Sequence, residues 1–235
     1  MERQEPQRQN KYIMNQISII VAGGSGTRMN TDIPKQFLLL RNDPVLMRTI
    51  REFHGYNPDM EIIVVLPPDQ VKYWKTLCRK HKFTIPHTII EGGRTRHHSV
   101  KKAMERVSPG MLVAVHDGVR PLVSRALIQT CFDTALVLGN AVPVTELSDS
   151  IRRVEGEKNF RADRSIFRMV QTPQVFQSDI LIHAFRQKYD PVFTDEATLA
   201  ENAGHRIQLV TGQPENIKIT TSLDMCIAGA IIDAC

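Results

Sequence analysis

Short hydrophobic runs alternate along this chain with longer amphipathic segments. Consecutive or alternating apolar residues predict strands over residues 17–22, 61–66, 87–90, 111–116, 140–144, 168–171 and 206–210. The spacing of apolar residues predicts helices over 44–53, 69–81, 95–106, 124–138 and 178–188, and a last helix from residue 221. This alternation predicts an α/β fold with a Rossmann-like, mostly parallel, twisted sheet flanked by helices.

One segment departs from the alternation. Residues 150–154 and 159–164 predict two short polar strands around a turn, with few apolar side chains to bury on either face. An isolated hairpin is only marginally stable in water. We therefore expect a protruding arm over about residues 147–166 that packs on another surface, and a second copy of the chain is the first candidate.

Length and composition fit one globular domain. The chain has 235 residues, of which 42% are hydrophobic, and this is enough to build a sizeable core. Residues 1–13 are polar and of low complexity. We expect a disordered extension over 1–13 and a single domain over 14–235.

Charge and cysteine content narrow the expected partners and location. The net charge is +5, and the cations are scattered among acids or placed beside glycines, which favours a small anionic ligand over nucleic acid. The four cysteines are widely spaced, which predicts reduced thiols in a cytoplasmic protein. No apolar run approaches the ~20 residues that cross a bilayer, so no membrane association is expected.

A glycine-rich turn follows the first predicted strand and precedes two cations. The turn contains Ala22, Gly23, Gly24 and Gly26, and the cations are Arg28 and Lys35. Glycines let the backbone approach an anion closely, and successive N–H groups can hold a phosphate chain. A forked arginine and a lysine add charge that suits a triphosphate with a departing pyrophosphate. The dinucleotide fingerprint G-x-G-x-x-G does not apply, because Met29 stands at its third glycine.

Charged residues at two later positions are candidates for the same site. Asp117 ends a predicted strand, and ligands in open α/β sheets gather at the carboxyl ends of strands. Its carboxylate could coordinate Mg²⁺, accept a substrate hydroxyl, or simply cap a loop, where Arg120 could pair with it. Lys218 lies between Ile217 and Ile219 in a predicted strand, so its side chain is on the face opposite the two isoleucines. It points to a cleft if the isoleucines face the core, and otherwise to solvent.

Several motifs taken together resemble the sugar-phosphate nucleotidyltransferases, and within them the 2-C-methyl-D-erythritol 4-phosphate cytidylyltransferase family. Besides the first glycine turn they are His116-Asp117-Gly118-Val119-Arg120-Pro121, Asp163-Arg164, Gln171-Thr172-Pro173-Gln174, Thr194-Asp195-Glu196-Ala197 and Asn216-Ile217-Lys218-Ile219-Thr220. They stand in the family's order over about residues 17–230. The resemblance implies transfer of a cytidylyl group from CTP to a polyol phosphate for isoprenoid biosynthesis, with Mg²⁺ or another divalent cation.

The resemblance also implies roles for individual residues. The implied catalytic cations are Arg28, Lys35 and Lys218. The implied nucleotide contacts are Ala22, Gly23, Gly24, Gly26, Gly93, Ser99 and Asp117, where Gly93 and Ser99 match a second turn of the form G-G-x-x-R-x-x-S. The implied acceptor contacts are Asp117, Arg120, Ser150, Arg164, Thr172 and Thr194. In the family the arm crosses to the partner of a homodimer, so Arg164 would complete the neighbour's pocket. Thr194 also resembles a helix N-cap.

Two other functions stay open from the sequence. A cytidylyltransferase for ribitol 5-phosphate shares the glycine turn and the Thr-Pro-Gln stretch, although Asp163-Arg164 and Thr194-Asp195-Glu196-Ala197 match the erythritol-phosphate enzymes better. A nucleotide-binding protein without catalysis would be expected to lack one of the three cations named above, and all three are present.

Overall fold

The computed structural model describes residues 14–23 and 33–234. Its strands are β1 (Gln16–Val21), β2 (Leu39–Leu40), β3 (Asp43–Pro44), β4 (Glu61–Leu66), β5 (Thr88–Glu91), β6 (Leu112–Asp117), β7 (Asn140–Thr145), β8 (Arg152–Glu155), β9 (Lys158–Arg161), β10 (Met169–Val170), β11 (Gln174–Gln177) and β12 (Leu209–Thr211). Its helices are α1 (Val45–Tyr56), α2 (Pro68–Lys80), α3 (Arg96–Met104), α4 (Arg125–Leu138), α5 (Ser178–Ala184), α6 (Glu196–Asn202) and α7 (Ser222–Ala234).

Eight of these strands form one mixed, mostly parallel sheet. The strand order is β10-β7-β11-β6-β1-β4-β5, and β12 pairs with β7. The pairs β1–β4, β1–β6 and β4–β5 are parallel, whereas β11 runs antiparallel between β6 and β7. The predicted fold class is therefore confirmed. None of the helices in the described ranges has both the length and the apolar character that a bilayer span requires.

The sheet separates two hydrophobic clusters because strand side chains alternate between its faces. Ile20 of β1 packs in a cluster with residues of α1, α2 and α4, whereas Ile17 and Ile19 pack in a second cluster with residues of α3, α5 and α6. All three isoleucines are fully buried. This two-sided burial explains why the strands appear in the sequence as nearly continuous apolar runs.

The topology brings several chain segments to one edge of the sheet. The strands β1, β4, β5 and β6 are parallel, and the carboxyl ends of all four lie at that edge. Because β11 is antiparallel to β6, its start lies beside the end of β6, and this places Thr172 next to Asp117. The edge is therefore the place where the predicted site residues can meet.

The arm is a short hairpin of β8 and β9, which pair only with each other among the described strands. Every residue of the two strands is exposed. The strands are shorter than the sequence predicts at the ends away from the turn. The chain turns at Gly156, whose φ of +59° suits glycine.

Several elements differ from the sequence predictions. The structure contains the two-residue strands β2 and β3, the strand β11 after Pro173 and the short helix α6, none of which is predicted. The strand expected over 206–210 is observed as β12, farther along the chain. In each case the hydrophobic run is too short to identify the element by its period. The N-cap of α6 is Asp195, which accepts a hydrogen bond from the Thr198 N–H, and not Thr194.

Candidate active site

A cleft of about 520 Å³ opens at the carboxyl edge of the sheet. We call it the main cleft. Its walls come from the ends of β1, β4, β5 and β6, and among its lining residues are Ala22, Gly23, Lys35, Gly93, Ser99, Asp117 and Lys218. Of the predicted catalytic and nucleotide-binding residues, those in the described ranges thus share one cavity. Gly24, Gly26 and Arg28 lie outside the described residues.

The 3₁₀ turn Lys35–Phe37 carries Lys35 into the main cleft. Next to it, the fully buried Gln36 donates from its amide nitrogen to the carbonyl of Ala22 at 2.9 Å and to Oε1 of Gln70 at 2.6 Å. These bonds join the turn to the end of β1 and to the first turn of α2. The position of Lys35 relative to the end of β1 is therefore set by the buried side chain of its neighbour Gln36.

The second glycine turn is organised by Ser99. The Ser99 hydroxyl accepts from the Gly93 N–H at 3.0 Å and donates to the Thr95 carbonyl at 2.9 Å. A Cβ added to Gly93 would lie 2.5 Å from Cβ of His98, so the turn requires glycine there. The predicted residues Gly93 and Ser99 thus hold the shape of one cleft wall.

Asp117 stands at the centre of a group of cations. Its Oδ2 lies 3.0 Å from Nζ of Lys218 and 3.3 Å from Nε of Arg120, and its Oδ1 lies 3.7 Å from Nε of Arg96. Lys218 is placed by its neighbour Ile219, which is fully buried and donates its N–H to the Val119 carbonyl. The pairing expected between Asp117 and Arg120 is confirmed.

The cations determine the charge state of Asp117. Burial alone would raise the pKa of this carboxyl, but the charges of Arg96, Lys218 and Arg120 outweigh burial and hold the pKa well below its usual range. The group therefore remains an anion at physiological pH. Its site carries a net positive charge, which suits a phosphate ligand.

A smaller pocket of about 180 Å³ lies next to the main cleft. We call it the side pocket. Arg96, Asp117 and Lys218 line both cavities, and Arg120, Thr172 and Thr194 line the side pocket. Predicted acceptor contacts thus lie directly beside the predicted nucleotide contacts.

Thr172 connects the side pocket to a buried histidine. Its hydroxyl accepts from the Asp117 N–H at 3.0 Å and lies 3.0 Å from Nδ1 of His116, while Nε2 of His116 lies 3.2 Å from the Arg120 carbonyl. A carbonyl can only accept, so Nε2 carries the proton and Nδ1 accepts from Thr172. Burial lowers the pKa of His116 to about 4, which keeps the ring neutral.

This histidine makes stability depend on pH. The folded pKa of about 4 lies below the ordinary 6.5, so below pH 6.5 the unfolded chain binds the proton that the folded chain rejects. We expect the unfolding free energy to fall between pH 6.5 and pH 4, by roughly 3 kcal/mol for this group. Urea denaturation of wild type and His116→Gln at several pH values measures it. Parallel pH curves for the two proteins would contradict the expectation.

Two predicted acceptor residues do not reach the cavities of their own chain. Ser150 and Arg164 are exposed in and beside the arm, and Arg164 donates to the backbone carbonyl of Ser148. Neither residue lines the main cleft or the side pocket.

Two charged residues that pair with each other at the site, Arg96 and Glu196, are not among the site residues predicted from the sequence. Arg96 lines both cavities, and both carboxylate oxygens of Glu196 bind its guanidinium, at 2.7 and 2.8 Å. Both residues stand inside motifs that were recognised, as the arginine of G-G-x-x-R-x-x-S and as the third residue of Thr-Asp-Glu-Ala. The signal was therefore present, but their pairing spans 100 positions of the chain.

An open sheet with glycine turns and clustered cations at its carboxyl edge defines a nucleotide-binding α/β protein of the nucleotidyltransferase type. Comparison with known proteins narrows this class. Residues 16–234 match the model of the family described as IspD, 2-C-methyl-D-erythritol 4-phosphate cytidylyltransferase. The chain therefore belongs to this family.

Individual relatives agree with the family match. The chain is 47% identical over 216 residues to the 2-C-methyl-D-erythritol 4-phosphate cytidylyltransferase of Azobacteroides pseudotrichonymphae, covering 92% of this chain and 97% of that protein. It is 43% identical over 219 residues to the enzyme of that name from Bacteroides fragilis, covering 93% of this chain and all of that protein. The crystal structure of the Thermus thermophilus enzyme superposes with a TM-score of 0.76 at 31% identity, covering 94% of this chain and all of that one.

Proposed function

We propose that this site transfers the cytidylyl group of CTP to the phosphate of 2-C-methyl-D-erythritol 4-phosphate and releases pyrophosphate, a step toward isoprenoid precursors. The observation that carries the proposal is the meeting of Lys35, Arg96, Arg120 and Lys218 around two adjoining cavities beside the glycine turns. Membership of the cytidylyltransferase family supports the same reaction.

The proposed reaction is a direct displacement. An oxygen of the acceptor phosphate forms a bond to the α-phosphorus of CTP, and the bond from that phosphorus to the bridging oxygen of pyrophosphate breaks. The hydroxyls of Thr95 and Ser99 are engaged in the helix cap and the glycine turn. Among the described residues of the main cleft, neither of these two hydroxyls is thus free to act as a covalent nucleophile. Catalysis then depends on positioning and on neutralising charge.

We assign Lys35 to the departing β- and γ-phosphates because it lines the main cleft, and Lys218 to the α-phosphate because it lines both cavities. Arg28 is assigned to the same departing phosphates on the resemblance to the family alone. Asp117 would accept a hydroxyl of the acceptor, and Arg120 and Thr194 line the pocket for its phosphate. Ala22, Gly23 and Gly93 line the wall for the nucleotide.

The surroundings of Asp117 do not fit a metal ion held by the protein. Both carboxylate oxygens face cations, and a second cation such as Mg²⁺ would be repelled there. No group of three or more His, Cys, Asp or Glu side chains suited to a metal occurs within 14–23 and 33–234. We therefore propose that any divalent cation arrives as part of the substrate, bound to the phosphates of CTP.

The arm supports a homodimer. Its hairpin pairs with no other described strand, and Val154, Phe160, Ile166 and Phe167 expose large apolar surfaces on or beside it. We propose that a second copy covers this surface and that Arg164 reaches the side pocket of that copy.

The location we propose for the enzyme is the cytoplasm, where its nucleotide substrate is available.

An assay of pyrophosphate release tests the proposed reaction. CTP is supplied with 2-C-methyl-D-erythritol 4-phosphate, with ribitol 5-phosphate, or with no acceptor, and UTP replaces CTP as the control for the base. We expect turnover only with CTP and the methylerythritol phosphate. A higher kcat/KM with ribitol 5-phosphate, or binding of CTP without release of pyrophosphate, would contradict the proposal.

A further inference from the structure

Arg96 stands in the wall that the two cavities share. It is the first residue of α3, directly after the N-cap Thr95, and three quarters of its side chain is buried. A cation at a helix N-terminus opposes the helix dipole and is unfavourable by itself. The position therefore requires a compensating anion.

Glu196 is that anion. It is the first residue of α6, its side chain is only 2% exposed, and its two oxygens bind Nη1 and Nη2 of Arg96 at 2.7 and 2.8 Å. A buried carboxylate needs a partner of this kind, and the planar guanidinium offers two parallel donors. The bidentate contact fixes the direction in which the guanidinium points.

The direction matters for Asp117. Because Nη1 and Nη2 are held by Glu196, Arg96 presents only Nε to Asp117, at the long distance of 3.7 Å from Oδ1. The other oxygen, Oδ2, is already engaged by Lys218 and Arg120. Oδ1 is thus the less occupied oxygen of the carboxylate.

We propose that Glu196 is a positioning residue for the acceptor: it holds the Arg96 fork away from Asp117, so that Oδ1 stays available to a hydroxyl of the polyol phosphate. This inference rests on the proposed function and names a residue that acts through Arg96. Without the charge of Glu196, Asp117 is the anion that attracts Arg96 most strongly, ahead of Asp195, and it is already in contact with Nε. The guanidinium then turns to Oδ1 and competes with the acceptor.

The role of Glu196 can be tested by a substitution that leaves α6 folded. Gln174 of β11 holds the start of the helix independently, since its amide nitrogen donates to Asp195 at 2.9 Å and its oxygen accepts from the Ala197 N–H at 2.9 Å. The substitution Glu196→Gln keeps the size of the side chain. It removes the charge and leaves the Gln174 contacts in place.

Steady-state kinetics of Glu196→Gln provide the test. We expect the KM for the methylerythritol phosphate to rise about tenfold, and the KM for CTP to change less than about twofold, because one charge-assisted contact of the acceptor is lost. Arg96→Lys is a second variant with the same expected split, because a lysine cannot make the two-point contact with Glu196 and its ammonium is therefore also free to turn to Oδ1. Asp233→Asn removes another bidentate arginine pair, with Arg41, and serves as the matched control with unchanged constants.

The outcomes separate this inference from the proposed function. Wild-type turnover with an unchanged acceptor KM in both Glu196→Gln and Arg96→Lys would overturn the inference alone. A parallel rise of both KM values together with a lowered melting temperature would show a general structural role and overturn it as well. A wild-type chain that does not turn over the methylerythritol phosphate would overturn the proposed function, and the inference with it.

Discussion

Replacing Lys218 with alanine is expected to lower kcat by about 10²-fold or more, since a cation that faces developing charge in a preorganised site contributes several kcal/mol to catalysis. Lys218 lines both cavities, so it lies where the acceptor phosphate would approach the α-phosphorus of CTP, and its Nζ is 3.0 Å from Oδ2 of Asp117. The measurement is pyrophosphate release at saturating CTP and acceptor.

The same variant is expected to fold almost as well as the wild type. The Lys218 side chain is 42% exposed, and the ion pair it makes with Asp117 is therefore screened by water on one side. Arg96 and Arg120 also remain to neutralise Asp117. Lys75→Ala removes an exposed lysine on α2 and is the matched control. Lys75→Ala is expected to keep the wild-type kcat. If Lys218→Ala also kept it, the catalytic assignment of Lys218 would be wrong.

Replacing Arg164 with alanine is expected to reduce turnover strongly, again by about 10²-fold, because the proposal makes Arg164 a phosphate ligand in the partner's site. In its own chain this residue is exposed, and the one hydrogen bond described for its side chain goes to the backbone carbonyl of Ser148. Loss of activity on removing such a residue has no explanation within one subunit.

Mixing two inactive variants tests whether the arm acts in trans. When Arg164→Ala and Lys218→Ala chains are unfolded together and refolded, half of the dimers are mixed, and each mixed dimer has one site with both residues intact. Activity should return to roughly one quarter of wild type. A mixture of Lys35→Ala with Lys218→Ala is the control and should stay inactive, because both residues belong to the same cleft. Dimers of Arg164→Ala and Lys218→Ala that stay inactive would refute the crossing of the arm.

Much of the fold could be predicted from the sequence because the relevant signals are local. The apolar runs of β1, β4 and β6 are long enough to show burial on both faces, and Gly139 and Ser124 mark the ends of α4 through their own backbone and side-chain chemistry. The glycine turns are also local signals. By contrast, the two-residue strand β10 and the seven-residue helix α6 have too few residues to show a period.

For the site as well, some features could be predicted from the sequence and others could not. Residue types and order along the chain were enough to make Lys35 and Asp117 candidates, since charges that follow strands and glycines indicate an anion site wherever the strands end together. Lys218 was assigned to the site only through the resemblance to the family. The sequence alone could not assign Thr172 to the His116 ring or Arg96 to Glu196. These pairs depend on which strand lies beside which, and β11 enters the sheet antiparallel, between β6 and β7.

The sequence by itself thus determined most of the longer elements and the glycine-rich segments, because helix and strand periods and glycine geometry act over a few neighbouring positions. It also identified most of the site residues, through the order of the family's motifs along the chain. Only the tertiary structure decided the partners of each charge, and with them the direction of the Arg96 fork and the state of Asp117. Electrostatic energy depends on distances of a few ångströms between side chains that are far apart along the chain, and the fold alone sets those distances.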